Sequence, residues 1–184
     1  MVLAVSALVL SVVALVIGLK INATNFLRSK TETRYYAVSP AAFIALGNTT
    51  NTDVFWGYIA NFGPSGEGLS YSAPVNLPQG AVVTNLRLYY EEPNENSIIR
   101  LRLIKADPLK IPLYSTTMAS LDAPRSSTPT LIETSNITEP IIYNNGYTYA
   151  LEAYIQDTTI VGVTSNFASI SGVCITYTVT EPYP

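Results

Sequence analysis

The sequence predicts a mainly β protein: an N-terminal apolar α-helix, then an antiparallel two-sheet β-sandwich (jelly-roll or Ig-like) of about ten strands. Three observations predict it. The first twenty residues, MVLAVSALVLSVVALVIGLK, carry no charge before Lys20 and no proline. From Tyr35 onward, short apolar runs rich in β-branched and aromatic residues alternate with Pro, Gly and Asn clusters, the pattern of a sandwich or barrel. Only 12% of the 184 residues are charged, against about 25% in average globular proteins. Surfaces that are polar but uncharged suit a secreted β protein. The division expected is an assembly helix and polar neck over 1–33 and a β-sandwich domain over 34–184.

As a helix the first segment is about 30 Å long at ~1.5 Å per residue, close to the hydrocarbon thickness of a bilayer. Its small residues Ala4, Ala7, Ser11, Ala14 and Gly18 recur at alternating spacings of three and four and so share one stripe. Such a stripe lets helix backbones approach closely in an apolar setting. Four readings compete. A secretory signal needs a basic start and a small-x-small cleavage site, and neither is present. A plain membrane anchor conflicts with the basic residues that follow it, which would hold the large domain in the cytoplasm. A donated β-strand over Val2 to Val16 suits the Val content but lacks alternation. A helix packed among copies of itself in a filament core meets none of these objections.

That layout, an uncharged start at Met1, an apolar helix, a polar neck and a β-rich domain, resembles the type IV pilins. Bacterial members carry Glu at the fifth mature position. Val5 stands there in this chain, which points to the archaeal type. The resemblance implies a homopolymeric extracellular filament whose subunits reside in the membrane before assembly.

The neck, KINATNFLRSKTETR, keeps an apolar face through Ile21, Phe26 and Leu27, so the helix is expected to run to about residue 30. Strands are then expected at 35–38, stopped by Ser39-Pro40, and at 54–62, with Trp56 or its neighbours anchoring the core, and Phe43 to Leu46 is a short apolar piece between them. A further strand covers 69–75. Leu77-Pro78-Gln79-Gly80-Ala81 is a turn. In Val82–Tyr90, residues Val82, Leu86, Leu88 and Tyr90 share one face, while Asn85 and Arg87 share the other. Glu91 to Asn96 reads as an acidic hairpin tip. The return strand 98–105 turns Ile99, Leu101 and Leu103 inward and Arg100 and Arg102 outward, near Arg87. Further strands are expected at 113–119, 130–134, 147–155, 158–163 and 170–179, and Ile141 to Tyr143 leads into the next turn. Leu121 to Pro129 is a loop and Asn144-Asn145-Gly146 a turn.

Pro78, Gly80, Ala81, Val83 and Leu86, together with Ile175-Thr176-Tyr177-Thr178-Val179, resemble a secreted prokaryotic β-sandwich domain. That resemblance implies an extracellular location and a fold, and no activity.

Composition weighs against catalysis. There is no His, the commonest general base. The single Cys174 excludes an intramolecular disulfide and has no His to activate it. It sits in an apolar run and is expected to be buried. No Gly-rich phosphate loop follows a strand. Glu91, Glu92 and Glu95 are the one carboxylate cluster, read as a solvated turn rather than a calcium site. No cofactor, metal or catalytic residue is assigned. Residues 1–34 carry Lys20, Arg28, Lys30 and Arg34 against Glu32, a net +3, and the rest of the chain is net −6. An acidic main domain without a basic patch argues against nucleic acid.

The function expected is a structural subunit of an extracellular filament, polymerising through the Ala4/Ala7/Ser11/Ala14/Gly18 face and displaying the sandwich for adhesion. The alternatives are a tethered or secreted β-sandwich that binds a glycan or surface ligand, and a fibre built by a donated N-terminal strand. Asn22, Asn48 and Asn136 head N-glycosylation sequons.

Overall fold

The computed structural model describes residues 29–46, 52–54, 58–61, 68–92, 97–110, 114–156 and 168–182. Eleven strands occur among them: β1 (Ser29–Val38), β2 (Ile44–Leu46), β3 (Thr52–Val54), β4 (Ile59–Asn61), β5 (Gly68–Val75), β6 (Val82–Glu92), β7 (Ile98–Asp107), β8 (Tyr114–Asp122), β9 (Ser126–Thr134), β10 (Thr148–Gln156) and β11 (Ser169–Pro182). They form two sheets, antiparallel wherever a register is defined. One runs β3-β4-β11-β6-β9, with β1 also on β11; the other runs β2-β5-β10-β7-β8. Only β3–β4 and β7–β8 join neighbours within a sheet; every other step along the described strands crosses to the opposite sheet. A β-sandwich is thus the architecture, as the spacing of short strands predicts.

The expected α-helix-plus-sandwich class needs correction. Among the described residues there is no α-helix, and the sole helical turn is a 3-10 turn at Pro40–Ala42, capped by the Ser39 hydroxyl, which accepts the Ala41 N–H at 3.3 Å. The neck does not continue a helix to residue 30, because extended chain begins at Ser29. Lys30, Glu32 and Arg34 alternate with Thr and Tyr in that stretch, a period of two that a strand tolerates and an amphipathic helix does not. The small-residue stripe Ala4, Ala7, Ser11, Ala14 and Gly18 lies outside the described residues. Among the described residues, no helix is long and apolar enough to cross a membrane.

By contacts the chain divides into two compact units, Met1–Glu32 with Val179–Pro184, and Thr33–Thr178. In the first, the Thr31 and Thr180 hydroxyls lie 3.2 Å apart and Lys30 pairs with Glu32 at 2.8 Å. The second holds the core. Leu86 and Leu88 on β6, Ile170 and Ile175 on β11, Leu101 and Leu103 on β7, and Leu151 and Ile155 on β10 are all fully buried. Each such side chain contributes about 1.5–3 kcal/mol by leaving water. Tyr71 of β5 is also fully buried, and its hydroxyl donates to the Ala60 carbonyl on β4 at 2.9 Å, a polar tie from one sheet to the other.

Several element expectations shift for local reasons. The 54–62 run is two short strands, β3 and β4, paired with each other; Trp56 lies outside the described residues. In β6 the inward set is Val83, Leu86, Leu88 and Tyr90, with Val82 only half-buried. The extra residue at Thr84, where the register with β11 slips, reverses the alternation. The 141–143 run makes one bridge, between Val82 and Ile141. The segment 126–129, expected as loop, is strand despite Pro129, because β9 is an edge strand that needs no ladder donor on its free side. The Gly80 turn forms as expected, at φ +78, where a side chain would be strained.

Candidate functional site

β6 and β7 do not make a hairpin. The chain crosses between sheets after Glu92, so Arg87 lies on the six-stranded sheet and Arg100 and Arg102 on the five-stranded one. The proximity of Arg87 to Arg100 and Arg102 expected from sequence is therefore absent. Arg87 donates to Glu133 Oε2 at 2.7 Å, and that hydrogen bond, then the carboxylate charge, raises its pKa. Glu91 and Glu92 belong to β6, and Glu92 is buried rather than solvated at a tip. Burial first, and then the charge of Glu92, raises the pKa of the neighbouring Tyr90, whose hydroxyl donates to the Pro124 carbonyl at 2.7 Å. Cys174 faces outward opposite Arg87 and is half-buried, since Val173 and Ile175 take the inward positions.

The separation of the sheets leaves an outward face on the five-stranded sheet. Strand register fixes its rows. One row runs Leu46, Ser70, Tyr154, Arg100, Asp122, one residue from each strand. The next runs Ile44, Ser72, Glu152, Arg102, Ser120. At ~4.8 Å per strand step, five strands span about 19 Å. A groove of about 400 Å³ lies on this face, with Tyr154 and Glu152 in it, Leu46 and Ser70 to one side, and Arg100 and Arg102 to the other.

Tyr154 is positioned by backbone. A Cβ on Gly68, one strand away, would overlap its ring and hydroxyl, so the phenol lies across the bare backbone of β5. Its hydroxyl donates to Gln156 Oε1 at 3.1 Å, which fixes the ring along β10. Arg100 is fixed too: its Nε donates to Asp122 Oδ1 at 2.5 Å. Arg102 and Glu152 stand directly opposite each other, yet among the described residues neither makes an ion pair. The four charges of this face balance, and two of them keep free hydrogen-bonding capacity beside an aromatic plane. Ile98 and Leu46, both exposed, give the groove apolar margins.

A second cluster lies around Lys105. Its ammonium sits 3.9 Å from the Tyr147 ring centroid and 5.8 Å from that of Tyr143, and it donates to Glu139 Oε2 at 2.8 Å. The Glu139 hydrogen bond raises the Lys105 pKa, against a smaller lowering by burial. Glu139 has φ +49, a costly conformation for a non-glycine residue. The cation that fills this aromatic recess is the protein's own, so the cluster pins the segment before β10 instead of offering a vacancy.

Of the sequence-predicted sites, Asn136 is exposed in the segment after β9. Asn22, Asn48 and the helix face lie outside the described residues. Sequence reasoning missed Tyr154 and Gly68. The alternation of 147–155 marks Tyr154 as outward, but its pairing with a glycine requires the β5–β10 register. Among the described residues, no group of three or more His, Cys, Asp or Glu side chains is placed to hold a metal.

No known family model matches the sequence, and no curated protein does. Among solved structures, a xylan-binding module of type CBM15 superposes with a TM-score of 0.48 at 12% identity, covering 79% of this chain and 97% of that one. The CBM22-2 xylan-binding domain of Paenibacillus barcinonensis Xyn10C gives 0.39 at 13% identity, over 84% and 91%. The capsid asymmetric unit of cyanophage Pam1 gives 0.32 at 16% identity, over 82% and 86%.

Proposed function

We propose that this chain is a non-catalytic extracellular binding module that takes a neutral glycan chain across the outer face of its five-stranded sheet. One observation carries the reading: the Tyr154 ring, laid over Gly68 and fixed by Gln156, forms a flat apolar platform inside an open groove. The C–H face of a pyranose packs on such a plane, and aromatic contacts of this kind contribute about 0.5–1.5 kcal/mol beyond area burial. Arg102 donates and Glu152 accepts, which is what adjacent sugar hydroxyls require. The balanced charge of the face suits an uncharged ligand, and its width suits an oligomer better than a single sugar.

The test is affinity electrophoresis and calorimetry of the full chain against soluble neutral polysaccharides, with uronate-containing ones as comparison. Tyr154→Ala should weaken binding on the order of tenfold, the equivalent of about 1.4 kcal/mol, with the fold intact by circular dichroism. Binding that survives Tyr154→Ala unchanged, or no binding to any glycan tested, would overturn the proposal.

A further inference from the structure

We propose that Asn136 is a modified residue carrying an N-linked glycan. Asn136-Ile137-Thr138 is a sequon, and the structure places it where a transferase can reach it. Asn136 and Thr138 are both exposed, while Ile137 is half-buried and holds the segment down. The backbone is tied at both ends of the tripeptide. The Asn136 N–H donates to Thr134 Oγ1 at 3.1 Å, and the Thr138 N–H donates to the Met118 carbonyl at 2.7 Å. Between these ties, among the described residues, no hydrogen bond engages the Asn136 carboxamide or the Thr138 hydroxyl. The two groups that define the sequon are thus free on a backbone held at both ends. A chance Asn-x-Thr in a strand would have its side chains committed to a sheet face.

The covalent step is a glycosyl transfer. Asn136 Nδ2 forms a bond to the anomeric carbon of a lipid-linked, phosphate-activated oligosaccharide. The anomeric C–O bond to phosphate breaks, phosphate leaves with the electron pair, and Nδ2 gives up one proton. No redox partner is needed. The sugar would stand two residues beyond the end of β9, the strand at the free edge of the six-stranded sheet. A hydrated chain there would obstruct pairing of that edge with a second molecule. This site is independent of the sheet-face groove.

The test is peptide mass spectrometry of the full chain isolated from its native cell. The peptide containing Asn136 should be heavier than its sequence by one or more sugars. Asn136→Gln and Thr138→Ala should each return it to the sequence mass, and Thr138→Ser should keep the increment. Circular dichroism should show all three variants folded, since neither side chain is hydrogen-bonded. Recovery of the wild-type peptide predominantly at its sequence mass overturns the proposal. So does an increment that persists in Asn136→Gln.

Discussion

Tyr154 lies flat because residue 68 has no side chain: a single Cβ there would intersect the phenol ring. Gly68→Ala therefore forces the ring off β5. The platform should be lost with little effect on the core, because position 68 is exposed. Glycan affinity should fall several-fold, close to the loss in Tyr154→Ala, while the urea midpoint barely moves. A Gly68→Ala variant that binds as wild type would sink the platform argument.

The Tyr71 hydroxyl links β5 to Ala60 at 2.9 Å in a fully buried setting. Tyr71→Phe leaves the Ala60 carbonyl without that donor, and a buried group stripped of its partner costs about 1–3 kcal/mol. Equilibrium urea unfolding should show a loss in that range with an unchanged m-value.

Leu101 is fully buried on β7, a strand with neighbours on both sides. Leu101→Ala should destabilise by about 2–5 kcal/mol, lost contacts and cavity together. Arg102→Ala, one residue along and facing outward, should unfold at nearly the wild-type midpoint. The pair separates packing from surface charge at adjacent positions.

Lys105 has a folded-state pKa raised chiefly by its hydrogen bond to Glu139. A lysine whose pKa rises on folding contributes stability that is fully present below its unfolded value, about 10.4, and that is lost as pH climbs through the folded value. Lys105→Met should therefore melt below wild type at neutral pH, with the gap closing at strongly alkaline pH. Thermal melts at matched ionic strength read this. A gap that stayed constant would show that the ammonium adds nothing beyond the packing of its stem.

How much was legible in the sequence depended on the range of the signal. Alternation in 98–105 identified Ile99, Leu101 and Leu103 as core, because period two is a local property. The phase of β6 was misread at Val82, since nothing in VVTNLRLYY announces the extra residue at Thr84. Pairing Arg87 with Arg100 assumed that adjacent alternating strands form a hairpin. Which sheet a strand joins is set by non-local packing, and a chain that crosses sheets after nearly every strand defeats the assumption. The Cys174 expectation failed more simply: it took an apolar run as wholly buried, when alternation about Val173 and Ile175 already turned the thiol outward. The Tyr154–Gly68 contact was out of reach for the same reason as the sheet assignment, because it depends on a register between residues far apart in sequence.

β11 is the last of the described strands in the chain, yet it lies inside its sheet, with β6 on one side and β4 and β1 on the other. A ribosome therefore delivers the neighbours of this strand long before the strand itself. Until it emerges, β6 has a vacant edge with Leu86 and Leu88 beside it, and the six-stranded sheet cannot close. The nascent chain must wait in a sticky, half-paired state, and the sandwich is completed only as synthesis of the described region finishes. Exposed apolar surface and an unpaired strand edge of this kind are what make an incomplete chain prone to aggregate.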